Sequence, residues 1–555
     1  MPAPLFPRRV IPCFAALLLA GCLDHPLKQV EYEKESEKDL KFEVAVNKDV
    51  DILFVIDNSG SMAEEQALLS ANFKSFIDVL ERPDVQANYR IGITTTDSGN
   101  PRCPNSTPEG GRIGLSSCVD RAANQEFSYL DKDFSYACSD YCTKDDSQIT
   151  IKPTLVGDDP TPAVRPWLES NEGVTNVEGV DSMVEAFQCF GPQGVSGCGF
   201  ESHLESMYKA LAASSDPKSS NFGFLRDNAI LSVVVISDET DCSFNPDTKE
   251  IFTSNKVFWD DPVNDVAPTS AMCWNAGVQC TGDGATYSEC HAENYDIAGK
   301  PGAADADAVL QPISKYINFL QGIEDAKRDA VGADAEVLVS LIAGVPKGYE
   351  TEGGPGLVYQ NADDPEFQSN FGIGPGCVLP SGDPDVPDQT AITPVREREF
   401  AEAFEVGDSR NLYSICQTDY TGALKSIADK LVQQIKPACV TSCVRDEDPS
   451  TPIVDTSCKL FDSFADDTQA EIPSCEDVGG VWTPPTGAKV CFAELGDTDN
   501  KQTANKLDDM SPECSEQGYN LEFKIVREGA APAGSSVTAT CRLSENIKRD
   551  CPDMK

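Results

Sequence analysis

The sequence predicts an α/β protein: a doubly wound, mostly parallel sheet interrupted by cysteine-rich insertions, followed by a small cysteine-rich, β-rich C-terminal domain. Three observations lead there. The runs VDILFVID (50–57), YRIGITTT (89–96), AILSVVVI (229–236) and AEVLVSLI (335–342) are rich in apolar and β-branched residues, the composition of strands covered on both faces. Segments with apolar residues at three- and four-residue steps alternate with them, and strands alternating with helices form a parallel sheet with helices on both faces. Most of the remaining cysteines fall in stretches with neither period, among Gly, Pro, Ser and Asp.

The chain opens with Arg8 and Arg9 before an apolar run from Val10 to Ala20 that is too short to span a bilayer and ends in Leu19-Ala20-Gly21-Cys22. This resembles a lipoprotein signal peptide (1–21), which implies that Cys22 carries the lipid and becomes the new N-terminus. Lipid is then the expected membrane anchor, placing the protein in the cell envelope on a periplasmic or cell-surface face. Residues 22–47, including KQVEYEKESEKDLK (28–41), read as a charged, solvated tether.

The first strand ends in the polar turn Asn58-Ser59-Gly60-Ser61, and Met62 to Arg82 follows as one amphipathic helix stopped by Pro83. After the strand 89–96, a disulfide-stapled insertion is expected near 98–176. The fold resumes with a helix over Phe200 to Ala213 and the strand 229–236, which ends in Ser237-Asp238-Glu239. A second insertion spans 242–305. Then come a helix near Ala308 to Asp325, the strand 335–342, an excursion over 345–392, a helix near Val395 to Phe404, a strand at Asn411 to Cys416 and a helix at Gly422 to Ile435. These elements make one domain over 48–437. Beyond Pro437 the helical period is sparse and cysteines recur, so 438–555 reads as a separate unit with strands such as Leu521 to Arg527 and Ser536 to Leu543.

Charge and cysteine usage narrow the function classes. With 44 basic and 91 acidic residues the net charge is −47, which repels phosphate backbones and anionic membrane surfaces and favours cations and basic partners. Setting aside Cys13 and Cys22 leaves 20 of the 22 cysteines, mostly single and widely spaced, the pattern of disulfides in an oxidising compartment. Three histidines give little scope for zinc or a histidine-based triad; HExxH, P-loop and GxGxxG motifs are absent. Asp497-x-Asp499-Asn500 matches an EF-hand opening, but Lys501 at position five and the missing glycine make it a loop. A binding protein, not an enzyme, is the expectation.

Ligand sites in open α/β sheets lie at the carboxyl ends of strands, where Asp57 and Asp238 both fall. Two carboxylates and two hydroxyls supply hard oxygen ligands suited to Mg2+, Ca2+ or Mn2+. Asp57-Asn58-Ser59-Gly60-Ser61-Met62, between its strand and helix, resembles the metal-ion-dependent adhesion site of the von Willebrand factor type A domain, a Rossmann-like fold. The resemblance implies a divalent cation held by Asp57, Ser59, Ser61 and Asp238, with an Asp or Glu carboxylate of a protein partner completing its shell. The family's threonine has no counterpart in Val195-Ser196-Gly197-Cys198-Gly199-Phe200-Glu201; Ser196 or Glu201 stands in for it, and glutamate makes the site more anionic and calcium-like. With Phe224-Leu225-Arg226-Asp227, Asp241-Cys242-Ser243 and Ser414-Ile415-Cys416, the chain also resembles cysteine-rich type A-domain lipoproteins of myxobacteria and their relatives. The expected function is adhesion or scaffolding through the cation; the alternative is a structural envelope lipoprotein whose metal site is vestigial or only stabilising.

Overall fold

A computed structural model describes residues 39–43 and 48–554, apart from 83–84, 158, 172, 283–284, 332–335, 383–387, 407–409, 436–437, 464–467 and 528–535. The expected signal peptide (1–21), Cys22 and most of the expected tether lie outside the described residues.

Seven strands form the central sheet: β1 (Asp49–Ile56), β2 (Asn88–Thr95), β3 (Leu168–Asn171), β4 (Val174–Thr175), β5 (Ile230–Ile236), β6 (Val337–Ala343) and β7 (Leu412–Ser414). Their order is β4-β3-β2-β1-β5-β6-β7. The pairs β1/β2, β1/β5, β5/β6 and β6/β7 are parallel, while β3 runs antiparallel to β2 and β4 to β3. The chain leaves β1 toward one side of the sheet to make β2 and later returns to its other side as β5, so the strand order reverses at β1.

Both faces of the sheet are covered, which is why the central strands are apolar at nearly every position. On one face Phe54, Ile56, Ile230 and Val234 pack with α1 (Ala63–Asn72), α2 (Lys74–Leu80), α3 (Met183–Phe190) and α7 (Thr421–Gln434). The alternate residues Leu53, Val55, Leu231, Val233 and Val235 pack with α4 (His203–Ala212), α5 (Ile313–Val331) and α6 (Val395–Glu402). Phe73 stacks on Phe187 with ring centroids 3.4 Å apart, and Phe54 meets both Phe73 and Phe76 edge-on at 5.8 Å.

Four features differ from the sequence reading. The single helix expected over 62–82 is two consecutive helices that meet at Phe73, where the Ser75 hydroxyl donates to the Asn72 carbonyl at 2.7 Å and the Asn72 side chain accepts from the Tyr420 amide. Strands β3 and β4 fall inside the segment taken as an insertion, so the sheet gains an antiparallel edge. Helix α3, on the Phe73 side of the core, had no counterpart in the sequence reading. Residues 39–43 of the expected tether form a strand antiparallel to Ser536–Arg542.

All 20 body cysteines are paired. Six disulfides lie within 48–437 (Cys103–Cys198, Cys118–Cys138, Cys142–Cys189, Cys242–Cys273, Cys280–Cys290 and Cys377–Cys416). Four more, Cys439–Cys514, Cys443–Cys551, Cys458–Cys541 and Cys475–Cys491, close within the C-terminal region, around a small core that includes Leu460, Phe492 and Phe523. Such density belongs to proteins that fold in an oxidising, extracytoplasmic compartment.

Candidate metal centre

The ends of β1 and β5 are fixed by the sheet itself. The Asp57 amide donates to the Ile236 carbonyl at 3.0 Å, and the Ser237 amide to that of Ile342 at 3.2 Å. Asp57 is fully buried, with Oδ1 accepting from the Ser59 amide at 2.8 Å and Oδ2 from the Ser237 hydroxyl at 2.5 Å. The Ser59 and Ser61 hydroxyls lie 3.3 Å apart, and Ser61 is near enough to the Asp238 carboxyl to oppose the rise of its pKa. The structure therefore gathers Asp57, Ser59, Ser61 and Asp238 at the point where the strand order reverses, the usual ligand crevice of an open α/β sheet.

The loop over 193–202 is tied to this turn from several sides. Gln66 donates to the carbonyls of Asp57 (2.9 Å) and Gly194 (2.8 Å) and accepts from the Gln193 amide at 2.7 Å. The Gly197 amide donates to the Asn58 carbonyl at 2.8 Å, and Cys103–Cys198 anchors the same loop beside Asp97, whose carboxylate takes the Cys198 amide at 3.2 Å. Glu201 consequently points inward, 1% exposed, while Ser196 is solvent-exposed on the same loop. The Cys242 amide donates to the Glu201 carbonyl at 2.6 Å, joining this loop to the one after β5.

The electrostatics are one-sided. Burial, then the charges of Glu239, Asp57 and Asp238, pushes the Glu201 carboxyl well above the ordinary range. Burial, then Glu65, Asp57 and Glu239, does the same to Asp238. Burial raises Glu65 to about 8 and, with Asp57, Glu239 to about 7. Glu201 Oε1, Asp238 Oδ1, Glu65 Oε2 and Glu239 Oε2 are shielded from solvent without a hydrogen-bond partner. Two carboxylates 4 Å apart repel by about 4 kcal/mol at an effective dielectric of about 20, more than the roughly 1 kcal/mol that a hydrogen bond nets. A hard divalent cation is the chemistry that such oxygens fit.

Beneath the cluster, His203 is fully buried at the start of α4, 3.9 Å from Asp57 Oδ2, 3.8 Å from Asp241 Oδ1 and 3.6 Å from Glu397 Oε1. Burial alone lowers its pKa, but Asp57, Glu397 and Asp241 outweigh that and raise it. Asp241 caps α4 from another loop, accepting from the Leu204 amide at 3.2 Å and the Ser243 hydroxyl at 2.6 Å while pairing with Arg396 at 3.2 Å.

Sequence reasoning missed Glu65, Glu239, His203 and Glu397. Glu65 alone left a local trace, four residues after Ser61 in the first turn of the helix that follows the motif. Among the described residues, the acidic, His or Cys side chains that bring three ligand atoms within 4.8 Å of one another are Asp497, Asp508 and Asp509, whereas no three of the carboxylates around Asp57 stand that close. The Asp497 carboxylate is already served by the amides of Thr498, Gln502 and Thr503 at 2.6, 2.9 and 2.6 Å, the arrangement of a turn-closing aspartate.

The fold and site together define an extracytoplasmic, disulfide-stabilised α/β protein with an acidic strand-end centre. No family model matches the sequence, and no curated protein matches it. Among solved structures, the pilus adhesin SpaC from Lactobacillus rhamnosus GG in its open conformation aligns over 89% of this chain and 39% of its own, at 10% identity and a TM-score of 0.25. Another form of SpaC aligns over 91% and 43%, at 9% identity and 0.25. The chain thus spans less than half of either adhesin, and so loose an overlap carries no argument about fold or role.

Proposed function

We propose that this chain is an exported, lipid-anchored protein-binding module, adhesive or scaffolding and not catalytic, that works through a divalent cation held by Asp57, Ser59, Ser61 and Asp238 in a sheet of the von Willebrand factor type A kind. The observation that carries this reading is the set of buried, unpartnered carboxylate oxygens whose groups feel the charge of Asp57 at the point of strand reversal. The parallel strand order with one antiparallel edge and the strand–turn–helix setting of Asp57 support the type A assignment. The two Ser hydroxyls are neutral, so the ion keeps charge for an Asp or Glu carboxylate of the partner protein.

A second reading is favoured by Glu201, Glu239 and Glu65. On taking up a cation these raised carboxyls would release their protons, and with Asp57 and Asp238 they would neutralise a divalent ion within the chain, which makes the cation a clamp between loops while other surfaces bind. Affinity capture from an envelope extract separates the two. Partners lost both with a chelator and with Asp57→Ala, in protein that stays folded, support metal-dependent adhesion; an identical partner set under all conditions overturns it.

A further inference from the structure

The carboxylates around Asp57 come from separate parts of the chain. Glu65 lies in the first turn of α1, Glu201 in the loop before α4, and Asp238 with Glu239 after β5. Glu65, Glu201 and Asp238 are nine-tenths buried or more, and each keeps an oxygen without a hydrogen-bond partner, as does Glu239. An acidic surface built for solubility has no reason to be sequestered in this way, because burying an unpaired carboxylate is costly.

The number and type of donors discriminate between cations. Mg2+ is small, holds a near-ideal octahedron and retains several waters, so it uses one or two carboxylates. Ca2+ takes six to eight oxygens at longer distances and accepts mono- or bidentate carboxylates in irregular geometry. A first turn with two hydroxyls and one aspartate is compatible with either ion. The added acids suit only the larger one.

We propose that the strand-end centre is a calcium-class site in which Glu201 ligates the ion directly, in the place a neutral hydroxyl would otherwise take, with Glu239 and Glu65 supplying the surrounding negative charge. This rests on the reading that the site binds a divalent cation at all. Glu201 is the donor and Ser196 is not, because the 195–202 loop turns Glu201 inward and leaves Ser196 in solvent. Four connections hold that loop: Cys103–Cys198, the Gly197 amide on Asn58, the Ser202 amide on the Thr96 carbonyl at 2.9 Å, and the Cys242 amide on Glu201. The ligand is therefore pre-positioned by covalent and backbone contacts and does not depend on a mobile side chain finding the ion.

The test is calorimetric titration of the metal-stripped mature chain with Ca2+ and with Mg2+, taking as site-specific only the binding abolished by Asp57→Asn. That subtraction removes any contribution from Asp497, Asp508 and Asp509. The expected result is Ca2+ bound at least about 100-fold more tightly than Mg2+. Glu201→Gln, which keeps the shape of the side chain, lowers Ca2+ affinity tenfold or more, and Glu201→Thr shifts the preference toward Mg2+. Glu239→Gln gives a smaller loss and serves as a second variant, with near-ultraviolet circular dichroism confirming that each protein is folded. Site-specific binding that favours Mg2+, or a Ca2+ affinity indifferent to Glu201, overturns the inference while leaving the cation site standing. Absence of any Asp57-dependent binding overturns both.

Discussion

Replacing Glu397 by glutamine stabilises the protein above neutral pH. Glu397 lies on α6, 3% exposed, with neither carboxylate oxygen hydrogen-bonded. The charged groups facing it are His203, at 3.6 Å, with Asp241 and Arg396. Burial raises its carboxyl from 4.5 to about 7, Asp241 adds to the rise, and His203 and Arg396 oppose it. A carboxyl raised in the folded state favours folding while it is protonated. Its contribution is complete below about 4.5 and is lost as pH climbs through about 7. At about 1.36 kcal/mol per pKa unit, that loss reaches roughly 3 kcal/mol by pH 8 to 9. Glutamine cannot ionise and keeps the shape, so E397Q is more stable than the native protein at pH 8.5 by up to about 3 kcal/mol and differs by less than about 1 kcal/mol at pH 5. Urea denaturation with the disulfides intact, at the two pH values and in chelator, measures it. An advantage that is absent at pH 8.5, or larger at pH 5, refutes the reasoning.

Two further outcomes follow from the packing and the disulfide framework. Phe73→Ala removes the ring stacked on Phe187 and opens a cavity between α1, α2 and the sheet, which lowers stability by about 3 to 5 kcal/mol in the same assay; a loss below about 1 kcal/mol contradicts the packing described. Replacing Cys103 and Cys198 together by serine frees a cross-link between residues 95 apart in sequence, worth up to about 4 to 5 kcal/mol. The double variant melts at lower temperature and binds Ca2+ more weakly in calorimetry because the Glu201 loop is released, whereas unchanged affinity shows that the loop is held without the disulfide.

Much of the fold was legible because buried parallel strands leave apolar blocks that few other elements produce. VDILFVID and AILSVVVI located both strand ends, and with them Asp57 and Asp238. Strand β3, Leu-Glu-Ser-Asn, left no such block: it is four residues long, three of them polar or charged, and pairs only at the antiparallel edge. The break at Phe73 was also invisible, since Phe73 keeps helical dihedrals of φ −60 and ψ −26 and the apolar period runs through it. The site divided along the same line. Asp57, Ser59 and Ser61 form a local motif, whereas Glu65, Glu239 and Glu397 are three acids among 91 acidic residues, distinguished only by a burial that tertiary packing imposes. An even cysteine count fits full pairing, but partners as distant as Cys443 and Cys551 are set by the C-terminal fold, with spacing giving no guide.

The proposed function requires a cation at the ends of β1 and β5, and the most direct measurement of it is the melting temperature of the mature chain with Ca2+ and with chelator, for the native protein and for Asp57→Asn. An ion present at 100 times its dissociation constant stabilises the folded state by about 2.7 kcal/mol. The native protein is therefore predicted to melt several degrees higher with Ca2+ than with chelator, and Asp57→Asn to show no such difference. Equal shifts in both proteins, or none in either, would contradict the account.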